Sequence, residues 1–237
     1  MAPRQPKRRH RERNYSSRVV EKEGEETLSQ AAAAHVYGAE PVEYSLTDTL
    51  GKLGMWMFLA GDAMGFGALI VGYGALRLYS PNWPWPADVL GIGLTAFMTF
   101  VLICSSVTMV KALSAIQHGD QAGLRKFLAL TVLGGLIFLG LQAYEWSHLI
   151  LGEGMTITQP AHDFPNATPL FGATFYILTG FHGMHVTAGV IYLFCVLMRA
   201  MRGAYSPGYA YPVEIVGLYW HFVDLVWILI FTFVYLI

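Results

Sequence analysis

Five apolar stretches, near 53–78, 89–116, 127–151, 170–198 and 213–237, take up most of this 237-residue chain. Each is long enough to supply the ~20 residues that a helix needs to cross bilayer hydrocarbon. In hydrocarbon every backbone N–H and C=O must be satisfied within the structure, so long continuous apolar runs cross as helices. The fold class that follows is all-α, a polytopic transmembrane bundle of five helices. Composition excludes the soluble alternative. Charged residues make up 13% and hydrophobic ones 54%, whereas a soluble domain carries about 25% charged residues.

The charges are segregated, and their placement sets an orientation. Eight of the fifteen Lys/Arg lie in the first 22 residues, followed by Glu21, Glu23, Glu25 and Glu26. Residues 1–47 therefore read as a polar, disordered tail, and 48–237 as the membrane bundle. No apolar run with a small-residue cleavage site follows the basic block, so no secretory signal peptide is expected. The tail, Lys52 and the connections at 111–126 and 199–212 hold fourteen of the fifteen Lys/Arg, and only Arg77 falls on the other side. The positive-inside rule then puts the N-terminus in the cytoplasm and the C-terminus outside. The connection Pro81-Asn82-Trp83-Pro84-Trp85-Pro86 cannot continue a helix, and its tryptophans suit the membrane interface.

Small residues punctuate the spans. Gly61-x-x-x-Gly65, with Gly54 and Gly72 seven residues to either side, makes a stripe suited to close helix packing, and Gly134, Gly135 and Gly140 suggest the same in the third span. Cys104 and Cys195 have no metal-ligand spacing and are expected to be buried as small hydrophobes.

Against this background the intramembrane ionisable residues stand out: Asp62, Glu145 with His148, His182 with His185, and Glu214, His221 and Asp224. An Asp at mid-helix costs about 2.5–3.5 kcal/mol on insertion scales, so such groups face a bundle interior and have a role there. Three pairs are spaced i, i+3, which puts both members on one helix face. Glu145-Trp146-Ser147-His148 has the Glu-x-x-His form of di-iron bundles, but a second copy and two further glutamates are missing. His182, His185 and His221 could in principle serve as haem ligands, although the sequence does not show that they converge. A free-standing di-iron or haem enzyme thus stays open beside a scaffold whose polar residues bond to one another. A transporter finds no inverted repeat and no broken helix pair to support it.

Two long motifs carry a resemblance. Thr179-Gly180-Phe181-His182-Gly183-Met184-His185-Val186 is similar to the Thr-Gly-Phe-His-Gly-Leu-His-Val signature of subunit III of haem–copper respiratory oxidases. Trp220-His221-Phe222-Val223-Asp224-Leu225-Val226-Trp227 resembles the last helix of the same family, and Leu141-Gln142-Ala143-Tyr144-Glu145-Trp146 looks like its Leu-Gln-x-x-Glu-Tyr segment. The likeness runs in order from about Leu53 to the C-terminus and corresponds to the five-helix bacterial form, without the first two helices of the mitochondrial one.

The resemblance implies a non-redox subunit of a proton-pumping cytochrome c oxidase in the bacterial cytoplasmic (inner) membrane. Haem and copper would belong to partner subunits I and II, with no cofactor on this chain, and structural phospholipids would be bound. The complex could in turn join other respiratory complexes in a supercomplex. Asp62 sits where the family usually has a carbodiimide-reactive glutamate one methylene longer. Arg199, fourteen residues after His185, matches a basic position that contacts lipid phosphate, and Asp62 shares that lipid-binding expectation. Glu145, His182, His185, Glu214, His221 and Asp224 match polar positions within the family's bundle. The equivalent subunit of a quinol oxidase or a nitric oxide reductase is the alternative within this class, because the electron-donor site lies on other subunits.

Overall fold

The computed structural model describes residues 46–237, with side chains from residue 49 onward. The tail expected over 1–47 lies almost entirely outside the described residues. Five long helices follow: α1 (Leu46–Tyr79), α2 (Ile92–Gln117), α3 (Gln121–Leu151), α4 (Leu170–Met201) and α5 (Tyr211–Ile230). The last runs on into a π-helical stretch, Phe231–Leu236. All five are long and apolar enough to cross a membrane, so the chain is a multi-pass membrane protein.

The helix ends follow from local chemistry. Pro81 and Pro84 carry no backbone N–H, and Asn82 takes a left-handed φ of 57°, so α1 cannot continue. Pro86 opens a single helical turn, Pro86–Val89. Between α2 and α3 the chain reverses over three residues. Gly119 takes a φ of 79°, as the residue after a helix C-terminus commonly does, and Asp120 Oδ1 accepts the Gly123 N–H at 2.8 Å as an N-cap. This cap starts α3 at Gln121, six residues before hydropathy marks it. The first turns carry Arg125 and Lys126, which belong in the polar interface rather than in hydrocarbon.

The connections gather at two ends. At one, Gln121 Nε2 donates to Tyr205 O at 2.8 Å, tying the α2–α3 turn to the α4–α5 connection, and Lys52 meets Glu214 at 2.6 Å. At the other, Thr168 N donates to Asn82 O at 3.2 Å, joining the α1–α2 and α3–α4 connections. There Tyr176 also donates its hydroxyl to Met155 O at 2.9 Å, which pins the long 152–169 connection to α4.

α5 is the central helix. It packs on α1, α2 and α4, and its Trp220 and Trp227 are fully enclosed. Lipid tails are as apolar as these side chains, so close packing and polar contacts hold the helices together rather than escape from water. Glycine makes part of this possible in α3. A Cβ on Gly134 would stand 2.7 Å from Ser105 Cβ, and one on Gly135 would stand 2.7 Å from the Trp220 ring.

Two expectations are overturned. Gly54, Gly61, Gly65 and Gly72 have nothing within 4 Å of a built Cβ, and the same holds for Gly140. Among the described residues the α1 stripe therefore mediates no packing, because α1 turns Leu59, Phe66 and Tyr73 inward instead, about a third of a turn away. Cys104 and Cys195 are exposed, not buried. They fall on outward helix faces, where a thiol is as compatible with lipid as any small apolar group.

Candidate functional site

The polar side chains of the bundle form separate groups, each linking two or three helices. The first centres on Glu145 in α3, which is 4% exposed. Its Oε1 accepts from Thr95 at 3.0 Å, and its Oε2 accepts from Tyr235 at 3.0 Å and from Gln142 at 3.4 Å. Neutral donors from α2, α3 and the π-helical end of α5 thus occupy both carboxylate oxygens. His148, the other half of Glu-x-x-His, is exposed and does not join this group. Glu145 and His148 instead border, with Asp88, a cavity of about 340 Å³ between the starts of α2 and the end of α3.

The second group joins α2 to α5. His221 Nδ1 lies 2.6 Å from Ser106 Oγ, and the same hydroxyl lies beside the Asp224 carboxylate. The serine on the facing helix bonds His221, and Asp224, one turn further along α5, lies close by. Asp224 is 7% exposed and its Oδ1 has no hydrogen-bond partner. On either side the α5 indoles repeat the pattern. Trp220 Nε1 donates to Ser105 Oγ at 3.0 Å and Trp227 Nε1 to Thr99 Oγ1 at 2.9 Å.

The third group spans α1, α4 and α5. Asp62 Oδ2 stands 3.2 Å from His185 Nε2. His185 Nδ1 lies 2.8 Å from Phe181 O, and a carbonyl only accepts, so Nδ1 carries hydrogen. The opposite nitrogen would then turn a lone pair toward a carboxylate unless a proton lies between them. The approach is close but off-line, and Oδ2 has no hydrogen-bond partner among the described residues. Tyr219 donates to His185 O at 2.9 Å, anchoring the same turn to α5.

The remaining residues stand apart. His182 is fully enclosed and neither ring nitrogen has a partner; it packs on Trp227, with ring centroids 5.0 Å apart, and on Phe138. Glu214 sits in the first turn of α5, where a negative charge suits the helix dipole, and pairs with Lys52. Arg199 is exposed in the last turn of α4, with its guanidinium 5.9 Å from the Tyr205 ring centre. Burial pushes the Tyr205 phenol up and Arg199 draws it back, so the ring stays neutral beneath the cation. Arg199 is fourteen residues from His185, roughly 20 Å along the helix. The structure does not bring Asp62 and Arg199 to one headgroup.

Among the described residues no three His, Cys, Asp or Glu side chains come together in a metal-binding group. His182, His185 and His221 fall in three different environments. The sequence reading missed the hydroxyl partners Thr95, Thr99, Ser105 and Ser106, together with Tyr235 and Lys52. One signal was present: Thr95, Thr99 and Ser106 recur at spacings of 4 and 7, which is a single helix face.

Residues 43–237 match the family described as cytochrome c oxidase subunit III. A cytochrome c oxidase subunit 3 of Synechocystis sp. is 39% identical over 190 residues, covering 79% of this chain and 76% of its own length. A probable cytochrome c oxidase subunit 3 of Mycobacterium tuberculosis is 37% identical over 187 residues, covering 78% and 87%. The Bacillus subtilis cytochrome c oxidase subunit 3 is 32% identical over 209 residues, covering 88% and 97%.

Proposed function

The chain belongs to the cytochrome c oxidase subunit III family, and we propose that it acts as the non-redox, lipid-holding scaffold beside the catalytic subunit of that complex. Its main contact is subunit I, with subunit II nearby, and those partners carry the haem and copper. The observation that supports this reading is how the intramembrane acids and histidines are engaged. Glu145 accepts three neutral donors, His221 bonds Ser106 of the facing helix, and Asp62 faces His185. These residues join helices to one another rather than converging on a common centre.

In this reading the complex sits in a bacterial cytoplasmic membrane. The basic end, with Lys52 and the 118–120 and 202–210 connections, faces the cytoplasm, and the C-terminus faces outside. Arg199 at that inner end holds a phospholipid phosphate by charge. Asp62, facing His185 on α4, supports proton uptake by the neighbouring catalytic subunit.

Affinity purification through a tag on this chain tests the proposal. A large haem-containing subunit should co-purify, and oxygen reduction should persist without this chain but fail sooner under sustained turnover. Stoichiometric iron or copper on the chain stripped of its partners would refute the scaffold reading.

A further inference from the structure

Arg77 is the one basic residue that the charge map leaves on the outer side, and none of the contacts described above uses it. It lies in the last turn of α1, one helical turn after Tyr73. Tyr73 is 3% exposed, and its hydroxyl has no hydrogen-bond partner. Arg77 Nη1 and Trp83 Nε1 are likewise enclosed and unpartnered. All three belong to one group. The Tyr73 and Trp83 rings meet edge to face at 5.4 Å, both Arg77 and Trp83 lie beside the Tyr73 hydroxyl, and the guanidinium carbon stands 5.7 Å from the Trp85 ring centre.

This group cannot satisfy itself. Nη1 brings two hydrogens, the indole one and the phenol one, while the phenol oxygen is the group's only acceptor. Among the described residues Arg77 forms no ion pair, so its charge also lacks a counterion. The surplus is of hydrogen-bond donors with a positive charge, and the missing complement is an anion. Arg77 is only half-buried, so the guanidinium keeps an open edge by which an anion can approach.

The surroundings select the kind of anion. Next to the group Leu78, Tyr79 and Trp85 are 84%, 88% and 68% exposed, an apolar rim at the end of a spanning helix. Tryptophan and tyrosine concentrate at headgroup depth, and the planar guanidinium fork matches phosphate oxygens. We propose that Tyr73, Arg77 and Trp83 form a phosphate site for one phospholipid of the outer leaflet, at the opposite end of the bundle from Arg199. Arg77 supplies the charge, the phenol and indole supply further donors, and the exposed rim lies along the acyl chains.

Native mass spectrometry of the intact oxidase complex tests this. The wild-type complex should carry a phospholipid whose retention Arg77→Gln weakens on the order of tenfold, the scale of one charge-assisted hydrogen bond. Arg77→Lys should fall between the two, because it keeps the charge and loses the fork. Tyr73→Phe removes only a hydroxyl that has no hydrogen-bond partner among the described residues, so it should weaken the same lipid with assembly unchanged, and it decides the matter if Arg77→Gln fails to assemble. Lipid retention unchanged in Tyr73→Phe and Arg77→Gln would overturn the proposal. Unchanged lipid with loss of a neighbouring subunit in Arg77→Gln would assign the arginine to a partner's carboxylate and overturn it equally. Inorganic phosphate displacing the lipid from the wild-type complex would overturn the choice of a lipid.

Discussion

Ser106 Oγ lies 2.6 Å from His221 Nδ1, and the same hydroxyl stands beside Asp224. One small side chain on α2 therefore bonds the histidine of the α5 motif, with the aspartate close by. Substituting Ser106→Ala should leave His221 without that partner. The expected loss is about 1 kcal/mol or slightly more, the scale of a buried hydrogen bond. Thermal unfolding in detergent should register it, together with easier loss of this subunit from the complex. An unchanged midpoint would show that the serine contributes nothing to the α2–α5 contact.

His182 and His185 share a helix face and should respond oppositely to the same change. His182 has no partner at either nitrogen, so His182→Phe removes two unsatisfied polar atoms and keeps the ring packing on Trp227. Stability should hold or rise. His185→Phe discards the contact with Asp62 and leaves a partly buried carboxylate facing an apolar ring, which should destabilise by about 1–3 kcal/mol. Parallel unfolding measurements on the two variants check the contrast, and equal effects would contradict it.

The α3 glycines allow a test with an internal control. Gly134→Ala places a methyl against Ser105 and should loosen the α2–α3 contact. Gly140→Ala meets open space and should be neutral or slightly stabilising, since alanine is the better helix former by about 1 kcal/mol. If both variants melt alike, close approach at Gly134 is not what the glycine provides.

Asp62→Asn keeps the shape of the side chain and removes the charge that faces His185. The complex should assemble normally, with total turnovers before inactivation falling several-fold. Counting oxygen consumed before activity is lost would measure this. A wild-type lifetime would remove Asp62 from proton supply and leave it a packing role.

Arg199→Ala should release one phospholipid from the basic end of the bundle without altering the fold, because the side chain is exposed and rests beside the Tyr205 ring. Lipid counting by native mass spectrometry reads the result. The same retained count as wild type would refute the phosphate contact.

Much of this protein is determined locally, and that part was legible in its sequence. Runs of apolar residues longer than a bilayer's hydrocarbon must be helices, whatever their neighbours are. The Pro81-Asn82-Trp83-Pro84 connection must interrupt them. The order of the Phe181–Val186 and Trp220–Trp227 motifs carried the family as well. Partnership is different in kind. A stripe of glycines reads the same whether it packs or faces outward, and only the rotation of α1 about its axis shows Gly61 and Gly65 facing out. An i, i+3 spacing puts His182 beside His185 on one face, yet the neighbouring helices give a partner to one and only ring packing to the other. The serine that His221 bonds lies 115 residues before it. Helix formation depends on hydrogen bonds four residues apart, so sequence alone determines it; the polar contacts depend on how helices rotate and dock, and only the tertiary structure decides that.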